Sequence, residues 1–197
     1  MILDKILKTA KENQRRAFEV IEKTDIISIW QSAGCEINLV GSLKTGLLVK
    51  HRDIDFHIYS TPLDIQQSFS AISKLALNPN ITHIEYTNLI DTDEVCIEWH
   101  AWYKDDYSDV WQIDMIHMLK GSRYDGFFEK VGERINAVAT KEQKETIMKL
   151  KYETPDSEKI MGIEYYMAVM RDGISNYQDF LEWRKNYSPQ EGMKWLP

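Results

Sequence analysis

The chain has 197 residues, 43% of them hydrophobic and 28% charged, which excludes a disordered chain and suits one domain or two small, closely packed ones. Its formal net charge of −7, from 24 basic and 31 acidic residues, argues against broad nucleic-acid binding, because such binding depends largely on phosphate neutralisation. There is no signal peptide and no apolar run long enough to span a membrane, so we expect a cytoplasmic protein without membrane contact.

The first forty residues predict two helices and a strand. Apolar residues recur at helical spacing over residues 2–22, which indicates an amphipathic helix. Asp25 is expected to cap a second helix that stops at Gly34, and a strand should follow from Glu36 to Val40. The two cysteines, Cys35 and Cys96, have no metal-binding spacing and are expected to be buried thiols.

The stretch from Gly41 to Tyr59, GSLKTGLLVKHRDIDFHIY, is the most informative part of the sequence. In a strand, Asp53 and Asp55 project from the same face, roughly 7 Å apart, while the apolar residues between and after them face the core. Two carboxylates on one face repel each other, so they are expected either in open solvent or around a hard divalent cation. The sequence alone leaves both alternatives open.

The next part of the chain predicts one helix and three strands. Thr61-Pro62-Leu63-Asp64 has the pattern of an N-cap with a first-turn proline, opening a helix that runs to about Leu77. Strand-like runs over Ile81 to Ile90, Val95 to Tyr103 and Val110 to Leu119 are separated by polar turns and predict an antiparallel meander.

The remaining pattern is helical. Helices are predicted over Phe127 to Val138, from a cap at Thr140 to Tyr152, over Ser157 to Arg171 and over Tyr177 to Tyr187. The aromatic residues of this half are expected mainly in its core. We therefore predict an α+β fold with two domains, a mixed α and β domain over residues 1–120 and a helical domain over residues 121–197 packed against it.

Gly41-Ser42 at the end of an apolar run, followed by Asp53-Ile54-Asp55, resembles the signature of the polymerase-beta-like nucleotidyltransferase superfamily. The segment HRDIDF is particularly similar to small bacterial enzymes that adenylylate lincosamide and aminoglycoside antibiotics. The resemblance implies a mixed, largely antiparallel sheet with flanking helices. It also implies that Gly41 and Ser42 hold a nucleoside triphosphate, and that Asp53 and Asp55 bind catalytic Mg²⁺, with two ions present when nucleotide is bound.

A third carboxylate on a later strand is expected from the same resemblance, and Asp114 in the apolar run Val110-Trp111-Gln112-Ile113-Asp114-Met115-Ile116 matches it. A lone aspartate in this run could instead be a surface residue of the open sheet face. Glu98 and His100 share one face of the preceding strand, so each is a candidate general base beside Asp114, although a one-residue slip in register would move both away.

The function predicted from these residues is magnesium-dependent transfer of a nucleoside monophosphate, AMP from ATP, to a hydroxyl of a small-molecule acceptor. Lys44, Lys50 and Arg52 lie between the two parts of the signature and are candidates for binding phosphate; Lys144, Lys149 and Lys151 are weaker candidates across the cleft. The acidic balance favours a small acceptor over RNA. A nucleotidyltransferase acting on protein or RNA, and a non-catalytic domain that binds nucleotide or a partner, remain alternatives, and the oligomeric state is not predicted.

Overall fold

The computed structural model of the protein describes residues 2–197. It contains a five-stranded sheet that carries helices before, within and after it along the chain. The elements, in chain order, are α1 (Ile2–Thr24), α2 (Ile26–Ser32), β1 (Glu36–Val40), α3 (Gly41–Lys44), β2 (Asp53–Ser60), α4 (Ile65–Leu75), β3 (Ile81–Asn88), β4 (Cys96–Lys104), β5 (Val110–Leu119), α5 (Phe127–Val138), α6 (Lys141–Glu153), α7 (Gly162–Tyr166), α8 (Tyr177–Arg184) and α9 (Pro189–Gly192). Among these residues, no helix has both the length and the apolarity needed to cross a bilayer.

The sheet has the strand order β1-β2-β5-β4-β3. β2 and β5 run parallel, and the other three neighbouring pairs are antiparallel. The predicted meander β3-β4-β5 and the mixed, largely antiparallel α+β fold are therefore confirmed. The parallel pair brings Asp55, the second aspartate of the Asp-x-Asp segment, beside Asp114, the third predicted carboxylate.

The helix after β2 differs at its start from the sequence prediction, which was wrong in its choice of cap. Asp64, not Thr61, occupies the N-cap position, and its side chain accepts a hydrogen bond from the Gln66 backbone N–H at 2.8 Å. Pro62 precedes this cap, so it belongs to the turn before the helix and not to the first helical turn. Asp25 also precedes its helix as predicted, but in a left-handed conformation without a side-chain cap.

The later helices agree with the prediction except around residue 160. The Thr140 cap is confirmed, with a capping box in which Thr140 and Gln143 each accept from the other's backbone N–H. The predicted helix from Ser157 begins only at Gly162, where the Glu164 carboxylate accepts from the Met161 N–H, and it continues as a π-helical turn over Met167–Arg171. The segment before it is left irregular and forms one wall of a cleft.

Two hydrophobic clusters form the core. One lies between one face of the sheet and α1, α2 and α4. The other joins α5 to α8 with Ile6 of α1 and with Leu47 and Val49 of the loop before β2. The second cluster thus crosses residue 120, and the division into two domains at that point stays a prediction.

A charged network fixes the loop before Asp53. Arg16 of α1 pairs with Asp105 and with Asp109, at 2.7 Å from the latter, and Asp109 also pairs with Arg52 at 2.9 Å. The Arg52 carbonyl accepts from the Gln112 backbone N–H at 2.8 Å. Helix α1 and the β4–β5 turn therefore hold the residue that directly precedes the Asp-x-Asp segment.

Candidate active site

The three predicted aspartates lie on two adjacent strands. Asp55 is the register partner of Asp114 in the parallel β2–β5 pair, and Asp53 is the partner of Gln112. Ile54 and Phe56, on the opposite face of β2, are fully buried in the sheet core. The strand alternation predicted from the sequence is therefore confirmed, and it turns the three carboxylates toward one cleft.

Gly41 lies against the carboxylate of Asp55. It follows Val40, the β1 partner of Asp55, and it has a φ of 66°, in the left-handed region. A Cβ added at residue 41 would overlap the Asp55 carboxyl group. Only glycine allows the turn and the second aspartate to approach each other this closely.

The electrostatics of the site disfavour three bare carboxylates. Burial, together with the nearby charges of Asp114 and Asp53, raises the pKa of Asp55 to about 7. Burial and the charge of Asp114 also raise the pKa of Asp53. Both effects oppose ionisation, so the site is one in which added positive charge is stabilising.

Asp114 is held by its neighbours through one oxygen. Its Oδ1 accepts from His100 Nδ1 at 2.6 Å and from Gln112 Nε2 at 2.8 Å. His100 is its cross-strand partner on β4, while Glu98 lies opposite Ile116. Of the two candidate bases, His100 therefore contacts Asp114, and Glu98 lies one step further away, with its Oε2 4.0 Å from His100 Nε2.

Lys151 reaches the site from α6 and was only a weak candidate in the sequence. Its Nζ donates to Ser42 Oγ at 2.6 Å and to the Leu47 carbonyl at 3.2 Å, and its side chain is buried between the rings of Tyr165 and Tyr166. No local pattern distinguishes it from the exposed lysines of the same helix. Its place depends on packing between α6 and the loop after α3.

The basic residues of the signature stretch are distributed unevenly. Lys50 lines the cleft and pairs with Asp156 at 2.9 Å. Arg52 pairs with Asp109 and lines a groove that adjoins the cleft. Lys44 is exposed beside α5 and lies outside the lining of both spaces, so the structure does not bring it together with the aspartates.

The cleft has a volume of about 350 Å³ and lies between the sheet and the segment from Asp156 to Tyr165. A second, more apolar pocket of about 300 Å³ lies beyond Ser42 and Asp55, against α5. The two share Ser42, Asp55, Met161 and Gly162. A substrate that occupied both spaces would therefore lie against Asp55.

The carboxylate oxygens fit magnesium by their chemistry, since this cation prefers hard oxygen ligands. Their spacing is wider than a compact cluster: among residues 2–197, only Glu94, Cys96 and Glu98 have ligand atoms all within 4.8 Å of one another. Burial raises the pKa of the Cys96 thiol to about 12, so that group lacks a ready thiolate. A metal at the aspartates would have to draw them together, which their mutual repulsion otherwise opposes.

No protein-family profile matches the sequence. No curated protein matches it either. Among solved structures, the chain is similar to Cid1 poly(U) polymerase with bound MgGTP, with a TM-score of 0.57, 13% identity, and coverage of 81% of this chain and 49% of that one. A second Cid1 structure, described for its RNA terminal uridylyl transferase activity, gives a TM-score of 0.59, 12% identity, and coverage of 85% and 54%.

The non-canonical poly(A) polymerase complex GLD-2–GLD-3 is also similar, with a TM-score of 0.57, 10% identity, and coverage of 96% of this chain and 66% of that one. The chain spans about half the length of the Cid1 chains that it matches. These neighbours confirm the nucleotidyltransferase-type fold predicted from the Gly-Ser and Asp-x-Asp pattern. The similarity to antibiotic-modifying enzymes stays a prediction.

Proposed function

We propose that the protein is a nucleotidyltransferase that moves AMP from ATP to a hydroxyl of a small-molecule acceptor, with Asp53, Asp55 and Asp114 as its catalytic carboxylates. The observation that carries the proposal is the meeting of these three side chains with the Gly41-Ser42 turn in one cleft. Their combination suits a polyphosphate held beside a cation.

We assign the triphosphate to Ser42 and Lys151. The hydroxyl of Ser42 and the ammonium of Lys151 lie 2.6 Å apart and both line the cleft beside Asp55. The hydroxyl of Tyr166 lies 3.4 Å from Ser42 Oγ and adds a third polar group. A phosphate oxygen accepts from such donors, and an ionised partner makes each hydrogen bond stronger.

Asp53, Asp55 and Asp114 would hold magnesium, with the phosphates completing its oxygen ligands. Bound there, magnesium would neutralise phosphate charge and would make the acceptor hydroxyl easier to deprotonate. His100 and Gln112 hold one oxygen of Asp114 in place, and neither of them contacts the other oxygen of this cleft residue.

The transfer balances without a further reactant. The acceptor oxygen forms a bond to the α-phosphorus, and the bond from that phosphorus to the bridging oxygen breaks. Pyrophosphate leaves with the electron pair, and the acceptor proton passes to solvent or to a carboxylate in the cleft. Positioning and charge neutralisation supply most of the catalysis in such transfers.

RNA is the second candidate acceptor. The observation that favours it is the similarity of the fold to poly(U) and poly(A) polymerases. The net charge of −7 and the pairing of Lys50 and Arg52 with carboxylates favour a small molecule instead. Lys50 and Arg52 are already balanced by carboxylates, so a long polyanion gains little from these two cations.

Calorimetry of ATP binding in magnesium tests the nucleotide site. The double variant Asp53→Ala/Asp55→Ala should lose magnesium-dependent affinity and keep the fold. Glu85→Ala is a matched control, because Glu85 is an exposed carboxylate of the same sheet, paired across strands with His100. Unchanged affinity in the double variant would refute the metal assignment.

A further inference from the structure

A groove of about 500 Å³ continues the cleft on the side of Asp53 and Gln112. Five residues line both spaces, so the groove and the cleft form one continuous opening. These are Lys50, His51, Asp53, Gln112 and Asp156. The groove adds Arg52, Trp102 and Val110, and none of the residues that we assign to the triphosphate lines it.

Trp102 lies on the same sheet face as the catalytic carboxylates. It is the β4 partner of Gln112, and it is two residues from His100, the partner of Asp114. Residues i and i+2 of a strand lie roughly 7 Å apart on the same face, so Trp102 lies about that distance along the strands from the level of His100 and Asp114. This is the distance between a ring and a hydroxyl on one small molecule.

The indole of Trp102 has bonding capacity that the protein does not use. Trp99, Trp111 and Trp183 donate their indole N–H to Ser68, Asp105 and Asp172. That of Trp102 meets no acceptor among residues 2–197, and the side chain is half-buried, with His83 packed at a ring-centroid distance of 4.8 Å. A partly exposed indole with an unused donor is suited to bind a planar ligand.

Besides the carboxylate of Asp53, the groove holds polar side chains with unused hydrogen-bonding atoms and two cations that are already paired. Gln112 donates to Asp114, and its carbonyl oxygen has no partner in the described chain; His51 likewise forms no hydrogen bond there. Lys50 and Arg52 are each paired with a carboxylate. The groove therefore offers hydrogen bonds and a ring surface, without the uncompensated positive charge that a phosphate backbone requires.

We propose that this groove is the acceptor subsite and that the acceptor carries a planar aromatic or heteroaromatic ring, stacked on Trp102, with its hydroxyl at Asp114. The inference rests on the proposed nucleotidyl transfer and narrows its substrate class. Asp114 lies on β5, beside the strand that carries Trp102, whereas Ser42, which Lys151 contacts, follows β1 on the other side of β2. A ring on Trp102 thus places its hydroxyl arm opposite the triphosphate.

Ring binding is tested without turnover, by following the Trp102 indole resonance in ¹⁵N spectra. The probes at millimolar concentration are adenosine, the benzene-ring glucoside salicin and ringless sorbitol, with a non-hydrolysable ATP analogue and magnesium present. Adenosine, salicin or both should shift the Trp102 signal, and sorbitol should not. Adenosine alone would identify a nucleoside acceptor, and salicin alone a non-nucleoside one. No shift with either ring probe would overturn the proposal.

Two variants separate stacking from folding. Trp102→Ala should weaken ring-probe binding about tenfold, or about 1.4 kcal/mol, and Trp102→Phe should restore most of the affinity because it restores an aromatic face for stacking. Tyr86→Ala is the control, since Tyr86 is a partly exposed aromatic on the opposite sheet face. Equal affinity in Trp102→Ala and wild type would refute the subsite.

Failure of this inference is distinguishable from failure of the proposed function. Affinity for the ATP analogue in magnesium should be the same in Trp102→Ala and wild type, and that measurement depends only on the nucleotide site. A single-stranded oligonucleotide that bound over tenfold more tightly than adenosine, with affinity falling steeply in salt, would show that the groove binds a phosphate backbone. That result would overturn the ring-bearing small acceptor and leave the transfer reaction standing.

Discussion

At the scale of single residues, the site depends on the contact between Gly41 and Asp55. The left-handed turn at the end of β1 places the start of α3 against a carboxylate that burial and two neighbouring aspartates already disfavour in its charged form. A side chain at residue 41 would push this carboxylate away. The glycine is therefore required by the site as well as by the backbone.

We predict that Gly41→Ala destabilises the fold by about 1 to 3 kcal/mol, from the left-handed backbone and the overlap, and abolishes magnesium-dependent nucleotide binding. Thermal unfolding and calorimetry measure the two effects. Gly173→Ala is the matched control, because Gly173 has a φ of 71° and open space around its Cβ position. It should lose stability and keep full nucleotide affinity; loss of affinity there too would show that the effect is not local.

Because His117 is buried, we expect it to make the stability of the folded chain sensitive to acid, independently of the three aspartates in the cleft. It is fully buried, with Nε2 2.8 Å from Ser60 Oγ and Nδ1 unpartnered, and burial lowers its pKa from 6.5 to about 4. Between pH 6.5 and 4, His117 is protonated in the unfolded chain but not in the folded chain. Its contribution to the free energy of unfolding is therefore fully present above about pH 6.5 and is lost as the pH falls toward 4.

The raised pKa of Asp55 acts in the opposite direction over this window, so the test is a difference between variants. Measured by chemical denaturation, the free energy of unfolding of His117→Gln, which keeps a hydrogen-bonding group for Ser60, should rise relative to that of the wild type as the pH falls from 6.5 to 4. Burial lowers the pKa of His57 to about 4 as well, so part of the slope should remain. The exposed His83→Gln is the control and should keep the wild-type slope. An unchanged slope in His117→Gln would contradict the assignment.

At the scale of elements, α6 contributes the buried lysine that the sheet lacks. We predict that Lys151→Met weakens ATP affinity in magnesium at least about tenfold, since a charge-assisted hydrogen bond contributes roughly 1.5 to 3 kcal/mol. Unfolding stability should change little, because a buried ammonium without a paired carboxylate is itself costly. Lys149→Met, an exposed position on the same helix, should leave affinity unchanged. Equal effects of the two substitutions would place Lys151 outside the nucleotide site.

Helix α1 and the β4–β5 turn are joined by ion pairs of different burial. Arg16 and Asp105 have side chains only 10% and 8% exposed, and Trp111 also donates to Asp105. Arg16→Ala leaves that carboxylate buried without its charge partner, so we predict a loss of about 3 to 5 kcal/mol by denaturant titration. Lys23→Ala breaks the exposed pair with Asp106 and should cost little. Similar losses in both variants would contradict this account.

At the scale of the whole molecule, the sequence predicted what depends on local periodicity. The α+β class, the meander and the faces of Asp53, Asp55 and Asp114 followed from alternation and from the resemblance. The predicted starts of α4 and of the helix from Ser157 were wrong, because Asp64 and not Thr61 caps α4, and because the residues before Gly162 line the cleft. The sequence did not distinguish Lys151 from the other lysines or Trp102 from the other tryptophans, because the proposed roles of both depend on neighbours far away in sequence.

The central claim is that the three aspartates catalyse nucleotidyl transfer and do not merely bind nucleotide. The direct measurement is transfer of label from α-³²P-ATP in magnesium to a panel of hydroxylated acceptors, ring-bearing small molecules and RNA included, with Asp114→Asn beside the wild type. We predict that Asp114→Asn binds nucleotide within a few-fold of wild type, while kcat falls at least about a hundredfold, roughly 2.7 kcal/mol. Transfer by Asp114→Asn at near wild-type rate would contradict the claim.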